Sequence, residues 1–198
     1  METPLAPRPV NGRHHLTTRE LATLALVAAL IVVSKFVFNM PLRVPGHSGL
    51  FWMALMVIGR GIVRRPHAGT MLGLVAGLLA VAIMPGRLGL LTWIKYAAPG
   101  MLLDLIAPLI KGRFEDPVLG MFAGALANLA KLLLSLLVTL AMGLPAGFIA
   151  VGLGFSAITH AVFGALGGLA GAMVLRRLFA ARIPQVEVLA RRYERGKP

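Results

Sequence analysis

Six apolar stretches, at approximately 20–39, 48–64, 67–84, 89–111, 117–142 and 149–178, take up most of this 198-residue chain. Short segments rich in Pro, Gly or charge separate them, the punctuation expected between helices. Hydrocarbon offers no partner to a free amide, so an apolar run of about 20 residues crosses it as a helix. The pattern predicts an all-α fold, a polytopic membrane helix bundle of about six transmembrane helices. The second stretch, "SGLFWMALMVIGRGIV", is barely long enough, with Gly59, Arg60 and Gly61 near its inner end; it is expected to tilt or to lie partly in the interface. The sixth is longer than a bilayer needs and rich in glycine, which predicts a bend or a late start.

Composition agrees, with 58% hydrophobic and 14% charged residues, far from the usage of a soluble domain. One compact membrane domain (20–178) fills the chain, flanked by a cytoplasmic segment (1–19) and a basic tail (179–198) ending "ARRYERGKP". The absence of cysteine excludes disulfides, thiolate metal sites and a cysteine nucleophile. The net charge of +13 raises the question of nucleic acid, and the placement of the charges answers it. Arg8, Arg13 and Arg19 precede the first stretch; Arg60, Arg64 and Arg65 lie at the second connection; Lys111 and Arg113 lie at the fourth; Arg176, Arg177 and the basic residues of the tail lie at the end. Only Arg43 and Arg87 fall at the opposite connections. Basic residues accumulate on the cytoplasmic side, so both termini are expected there, in a multi-pass protein of the cell membrane. The high charge then reflects topology and contact with lipid, and no nucleic-acid partner is needed. The first stretch is too long for a secretory signal and lacks a small-residue cleavage site, so it is read as a retained helix.

A charge at membrane depth is costly unless it faces protein or water. Counting about 1.5 Å per residue from the outer end of each helix puts Lys35 and Lys95 shallowest. Lys131 and His160 fall near the middle, and Asn128 and Asp104 deeper, at one level. The outer half then carries Lys35, Lys95, Lys131 and His160, with Trp93 and Tyr96 beside Lys95, and no carboxylate. Each residue also has a plainer reading. Lys35 is equally suited to snorkel to the headgroups, Trp93 and Tyr96 to anchor at the interface, and His160 to hydrogen-bond in the packing. Lys131 and Asp104 are suited to a structural ion pair between the fourth and fifth helices.

The connection "NMPLRVPGHSGLFW" (39–52) has two prolines and Gly46, which deny it helix, and carries Arg43, His47 and Trp52. Its polar and aromatic residues suit a segment lying over a cavity. No HExxH, phosphate-cradling glycine loop or Ser-His-Asp spacing appears, and the histidines divide between the two sides of the membrane. Neither enzyme chemistry nor a metal or other cofactor is expected. Small residues line several helices: Ala22, Ala25 and Ala29; Gly69, Gly73 and Gly77; Gly120 and Gly124; Gly164, Gly168 and Gly171. In lipid, helices associate by close backbone approach at such positions. The glycines are expected to pack within the bundle, and the first-helix alanines to face another protein.

The segment "TTRELATL" followed by Ala25-Leu26-Val27-Ala28-Ala29 resembles the start of the substrate-binding S components of energy-coupling factor (ECF) transporters. In that family an AxxxA motif on the first of six helices touches a transmembrane coupling subunit. The resemblance implies capture of a micronutrient, a vitamin or precursor, on the outer side, and delivery in a complex with the coupling subunit and two cytoplasmic ATPases. It implies a pocket formed by the 39–52 loop and helices four to six. A basic pocket implies a small-molecule substrate with an anionic group, held by residues among Lys35, Arg43, His47, Trp52, Trp93, Lys95, Tyr96, Asn128, Lys131 and His160. A standalone secondary transporter or channel-like protein is the alternative.

Overall fold

The computed structural model describes residues 16–37, 46–83, 89–141, 143 and 146–181. Six helices follow one another: α1 (Thr18–Val37), α2 (Gly49–Ile62), α3 (Ala68–Ile83), α4 (Ile94–Leu109), α5 (Pro117–Ala141) and α6 (Ala146–Ala180). A 3-10 turn, Gly89–Trp93, leads into α4. No strand occurs among the described residues. Each predicted stretch is a helix. The sixth differs from expectation: α6 opens at Ala146 and runs 35 residues, so the late start does not occur. In the sequence, Pro145 of "GLPAG" immediately precedes Ala146, and no proline within 146–180 forbids helix.

The start of α1 is fixed by a capping box. Thr17 donates its amide (2.7 Å) and hydroxyl (3.0 Å) to the Glu20 carboxylate, and the Glu20 amide donates back to Thr17 Oγ1. Two amides that the helix leaves unpaired are thereby satisfied. At the end of α4 the Gly112 amide donates to the Ala107 carbonyl (2.8 Å) and that of Lys111 to Pro108 (3.2 Å). This is the pairing of a Schellman cap, whose left-handed position usually belongs to glycine. Here Lys111 holds it, with φ 52°.

Packing follows the small residues. α5 lies against α6, α3 against α4, and α2 against α6. A Cβ on Gly168 would strike the Gly120 carbonyl, and one on Gly124 the Gly164 carbonyl. On α3, a Cβ on Gly77 would come within 2.7 Å of the Trp93 carbonyl. Gly69 and Gly100 each lie against the other's carbonyl. The glycine faces of α3, α5 and α6 are therefore spent inside the bundle, as their spacing predicts. α1 behaves differently. Leu24, Val27, Ala28 and Ile31 are buried, whereas Ala22, Ala25 and Ala29 are exposed beside exposed Leu21, Leu26 and Leu30.

The outside of the bundle is apolar. Leu78, Leu105, Leu109, Leu133, Phe155 and Ile158 are among the large side chains more than half exposed, a surface matched to lipid and not to water. α5 and α6 are each long and apolar enough to cross a membrane, while α2 and α3 are shorter apolar helices.

Ion pairs identify one end of the bundle. Arg65, in the α2–α3 turn, pairs with Glu20 at the start of α1 (3.1 Å), and Arg64 pairs with Glu115 in the α4–α5 turn (3.3 Å). Arg64 also lies 5.1 Å from the ring of Phe179 near the end of α6. The start of α1 and the end of α6 thus share this arginine end. Lys35, Lys95 and Lys131 belong to the other, the lysine end.

Candidate functional site

At the lysine end four helices converge on a chain of cations and rings. Lys35, exposed near the end of α1, donates from Nζ to the Tyr96 hydroxyl at 2.8 Å and lies 5.3 Å from that ring. Tyr96, in the first turn of α4, is buried and so is no interfacial anchor. Its ring stands 5.7 Å from that of Trp52 on α2, tilted by 60°. Beyond Trp52, the Lys131 ammonium on α5 sits 4.5 Å from the indole centre. Lys35 and Lys95 are both near enough to act electrostatically on Lys131. Four residues after Lys95, Pro99 interrupts α4, so no amide reaches back to the Lys95 carbonyl.

A second group adjoins the first. Asn128 is fully buried, and its Nδ2 donates to the main-chain carbonyl of His160 on α6 at 2.7 Å. A carbonyl can only accept, which orients the amide. The His160 Nδ1 lies 2.8 Å from the Ser156 carbonyl, and by the same argument carries the proton, leaving Nε2 as an acceptor. Two glycines let the chain before α2 approach. A Cβ on Gly46, where φ is +82°, would meet the His160 ring, and one on Gly49 would overlap the Asn128 amide.

The chemistry here is unbalanced in two ways. Every described carboxylate is paired with an arginine: Glu20 with Arg65, Asp104 with Arg60, Glu115 with Arg64, Asp116 with Arg113. All four pairs lie toward the arginine end, so among the described residues the three lysines gather without an acidic partner. In addition, Trp52 Nε1 and Asn128 Oδ1 are buried and make no hydrogen bond. An orphaned buried donor and acceptor are costly, and positions of this kind suit a ligand.

The structure thus brings together Lys35, Trp52, Lys95, Tyr96, Asn128, Lys131 and His160 from five helices. His47 lies partly buried in the turn 46–48 that opens α2, at the same end. Trp93 turns its main chain against Gly77 of α3, and among the described residues no ring pair or cation–ring contact links its indole to the cluster. Arg43 lies outside the described residues.

One sequence expectation is corrected. Asp104 does not pair with Lys131 and does not share a level with Asn128. Asn128 meets Gly49 at the start of α2, whereas Asp104 meets Arg60 near its end at 2.6 Å, about 16 Å further along the axis at 1.5 Å per residue. Asp104 also accepts from the Gly69 amide (3.0 Å), the Thr70 amide (2.7 Å) and the Thr70 hydroxyl (2.7 Å). The residue count missed this because it set the outer ends of the helices at one height, whereas α5 continues past Asn128 to Ala141, about 20 Å beyond the level of Gly49 at 1.5 Å per residue. By sequence alone Arg60 counts only as a topological charge. Its signal in the sequence is its place before the end of α2, inside the apolar run.

No family model matches the sequence, and no curated protein matches it. Among solved structures, the bundle superposes on one described as an S component of an ECF transporter, with a TM-score of 0.62 over 93% of this chain and 100% of that one. The chain has the fold of an S component. The two sequences are 15% identical, so the likeness lies in how six helices are ordered and packed.

Proposed function

We propose that this protein is the membrane-embedded substrate-binding subunit of an ECF-type importer, and that it captures a small anionic molecule at the lysine end, facing the outside. The observation that carries this reading is the gathering of Lys35, Lys95 and Lys131 beside two unpartnered polar atoms, Trp52 Nε1 and Asn128 Oδ1, with every described carboxylate paired elsewhere. Burying an anion requires cations and donors to replace its water. A carboxylate- or phosphate-bearing vitamin or precursor fits: its anion lies among the ammoniums and the indole N–H, and a donor group reaches Asn128 Oδ1. His47 and Trp93 belong to the rim in this reading.

The outward alanines of α1 supply the second half of the proposal. Ala22, Ala25 and Ala29 form a small-residue face left exposed, while the glycine faces at Gly69–Gly77, Gly120–Gly124 and Gly164–Gly171 pack inside the bundle, and it suits close approach of a coupling subunit's helix. Two cytoplasmic ATPases complete the complex, with the arginine end and both termini on their side. This chain performs no reaction of its own.

Reconstitution tests the reading. In proteoliposomes, uptake of the copurified ligand is expected only with the coupling subunit, the ATPases and ATP. Uptake driven by an ion gradient with this chain alone would make it a secondary transporter.

A further inference from the structure

At the arginine end, between the α2–α3 turn and the end of α4, lies a cleft of about 730 Å³. Its floor is the Arg60–Asp104 pair, already joined. Arg64, His67 and Lys111 stand around it, and Met101, Leu105 and Pro108 form its wall. With Arg60 paired to Asp104 and Arg64 to Glu115, Lys111 is left as the cation of the lining that no described carboxylate pairs. The wall is one outward stripe of α4, exposed at Met101, Leu105 and Pro108 and continuing to Leu109, which is 81% exposed. A charged recess thus opens onto an apolar track along the outside of the bundle.

A second observation points to the same place. Among the described residues only two that are not glycine have left-handed backbone, His67 (φ 63°) and Lys111 (φ 52°), and both line this cleft. Residues with a Cβ pay for that conformation. At Lys111 the alternative is plain, because its position in the Schellman cap favours glycine. The strain is retained where it holds an imidazole and an ammonium at the mouth of one recess.

We infer that this cleft binds the phosphate headgroup of an acidic phospholipid from the surrounding leaflet, with an acyl chain laid along Met101, Leu105 and Leu109. Charge complementarity favours an anion, and the track of exposed apolar side chains running from the recess favours a lipid over a free ion. Lipid capture here requires only that the bundle sit in a bilayer. It does not depend on a ligand at the other end.

The backbone gives the test its sign. Lys111→Gly relieves the left-handed strain and removes the cation, so stability and lipid retention should move in opposite directions. The full chain in detergent is titrated with phosphatidylglycerol, phosphatidylcholine or inorganic phosphate, and bound lipid is read by native mass spectrometry alongside the unfolding midpoint. Phosphatidylglycerol alone should be retained and should raise the midpoint of the natural protein. Lys111→Gly should raise the lipid-free midpoint and weaken phosphatidylglycerol retention roughly fivefold, while Lys111→Arg keeps retention. Lys111→Met removes the charge without altering the backbone requirement and should lose retention equally. Equal retention of the two lipids, retention unchanged in both Lys111→Gly and Lys111→Met, or a midpoint shift reproduced by inorganic phosphate alone would overturn the inference.

Discussion

The ammonium of Lys131 on α5 and the indole of Trp52 on α2 stand 4.5 Å apart, nitrogen to ring centre. A ring face steadies a desolvated cation by about 2 kcal/mol but leaves its charge in place. The same indole holds an unpartnered N–H. Trp52→Phe keeps a ring and removes that donor, so it should weaken ligand binding about tenfold, the equivalent of one hydrogen bond to a charged group. Stability without ligand should be unchanged or higher, because a buried unsatisfied donor is gone. Titration calorimetry and thermal unfolding in the same detergent separate the two effects.

Asp104 holds four partners at once, Arg60 and three donors from Gly69 and Thr70. Asp104→Ala strands a buried guanidinium and should cost about 3–5 kcal/mol. Adding Arg60→Met should recover only part of that loss, because the Thr70 and Gly69 donors stay orphaned. Unfolding midpoints of the single and double variants check this.

The glycines divide sharply. A Cβ on Gly168 meets the Gly120 carbonyl, whereas one on Gly154, on the same helix, meets nothing within 4 Å. Gly168→Ala should destabilise by about 1–3 kcal/mol through overpacking. Gly154→Ala should stabilise by about 0.5–1 kcal/mol through helix propensity. If both variants shift stability the same way, the α5–α6 packing described above is wrong.

Ala25 and Ala29 face outward from α1. Ala25→Leu with Ala29→Leu should leave folding and ligand binding within error, and abolish copurification with a coupling subunit. Loss of ligand binding in that variant would place the alanines inside the bundle's own function.

Much of this was legible in the sequence, for identifiable reasons. Helix number and the buried glycine faces follow from apolar run length and small-residue spacing, which lipid leaves little freedom to override. Lys35, Lys95 and Lys131 stood out because charge within an apolar run demands a partner or water. The partners were less legible. The residue count set Asp104 level with Asn128, and it fails because α5 runs on past Asn128 to Ala141, well beyond the start of α2 that Asn128 faces. That Glu20 and Glu115 each take an arginine from the α2–α3 turn, and Asp104 one from the last turn of α2, could not be read from local pattern, since these pairs join residues far apart in sequence. The room that Gly46 and Gly49 leave for His160 and Asn128 is likewise visible only in three dimensions.

The reading as a whole turns on whether the lysine end holds an anion. The direct measurement is mass spectrometry of the small molecule retained by the protein after gentle detergent purification, for the natural chain and for Lys95→Met with Lys131→Met. One acidic compound, near stoichiometric in the natural protein and absent from the variant, is the predicted result. A neutral or cationic compound, or an acidic one retained equally by both proteins, would contradict it.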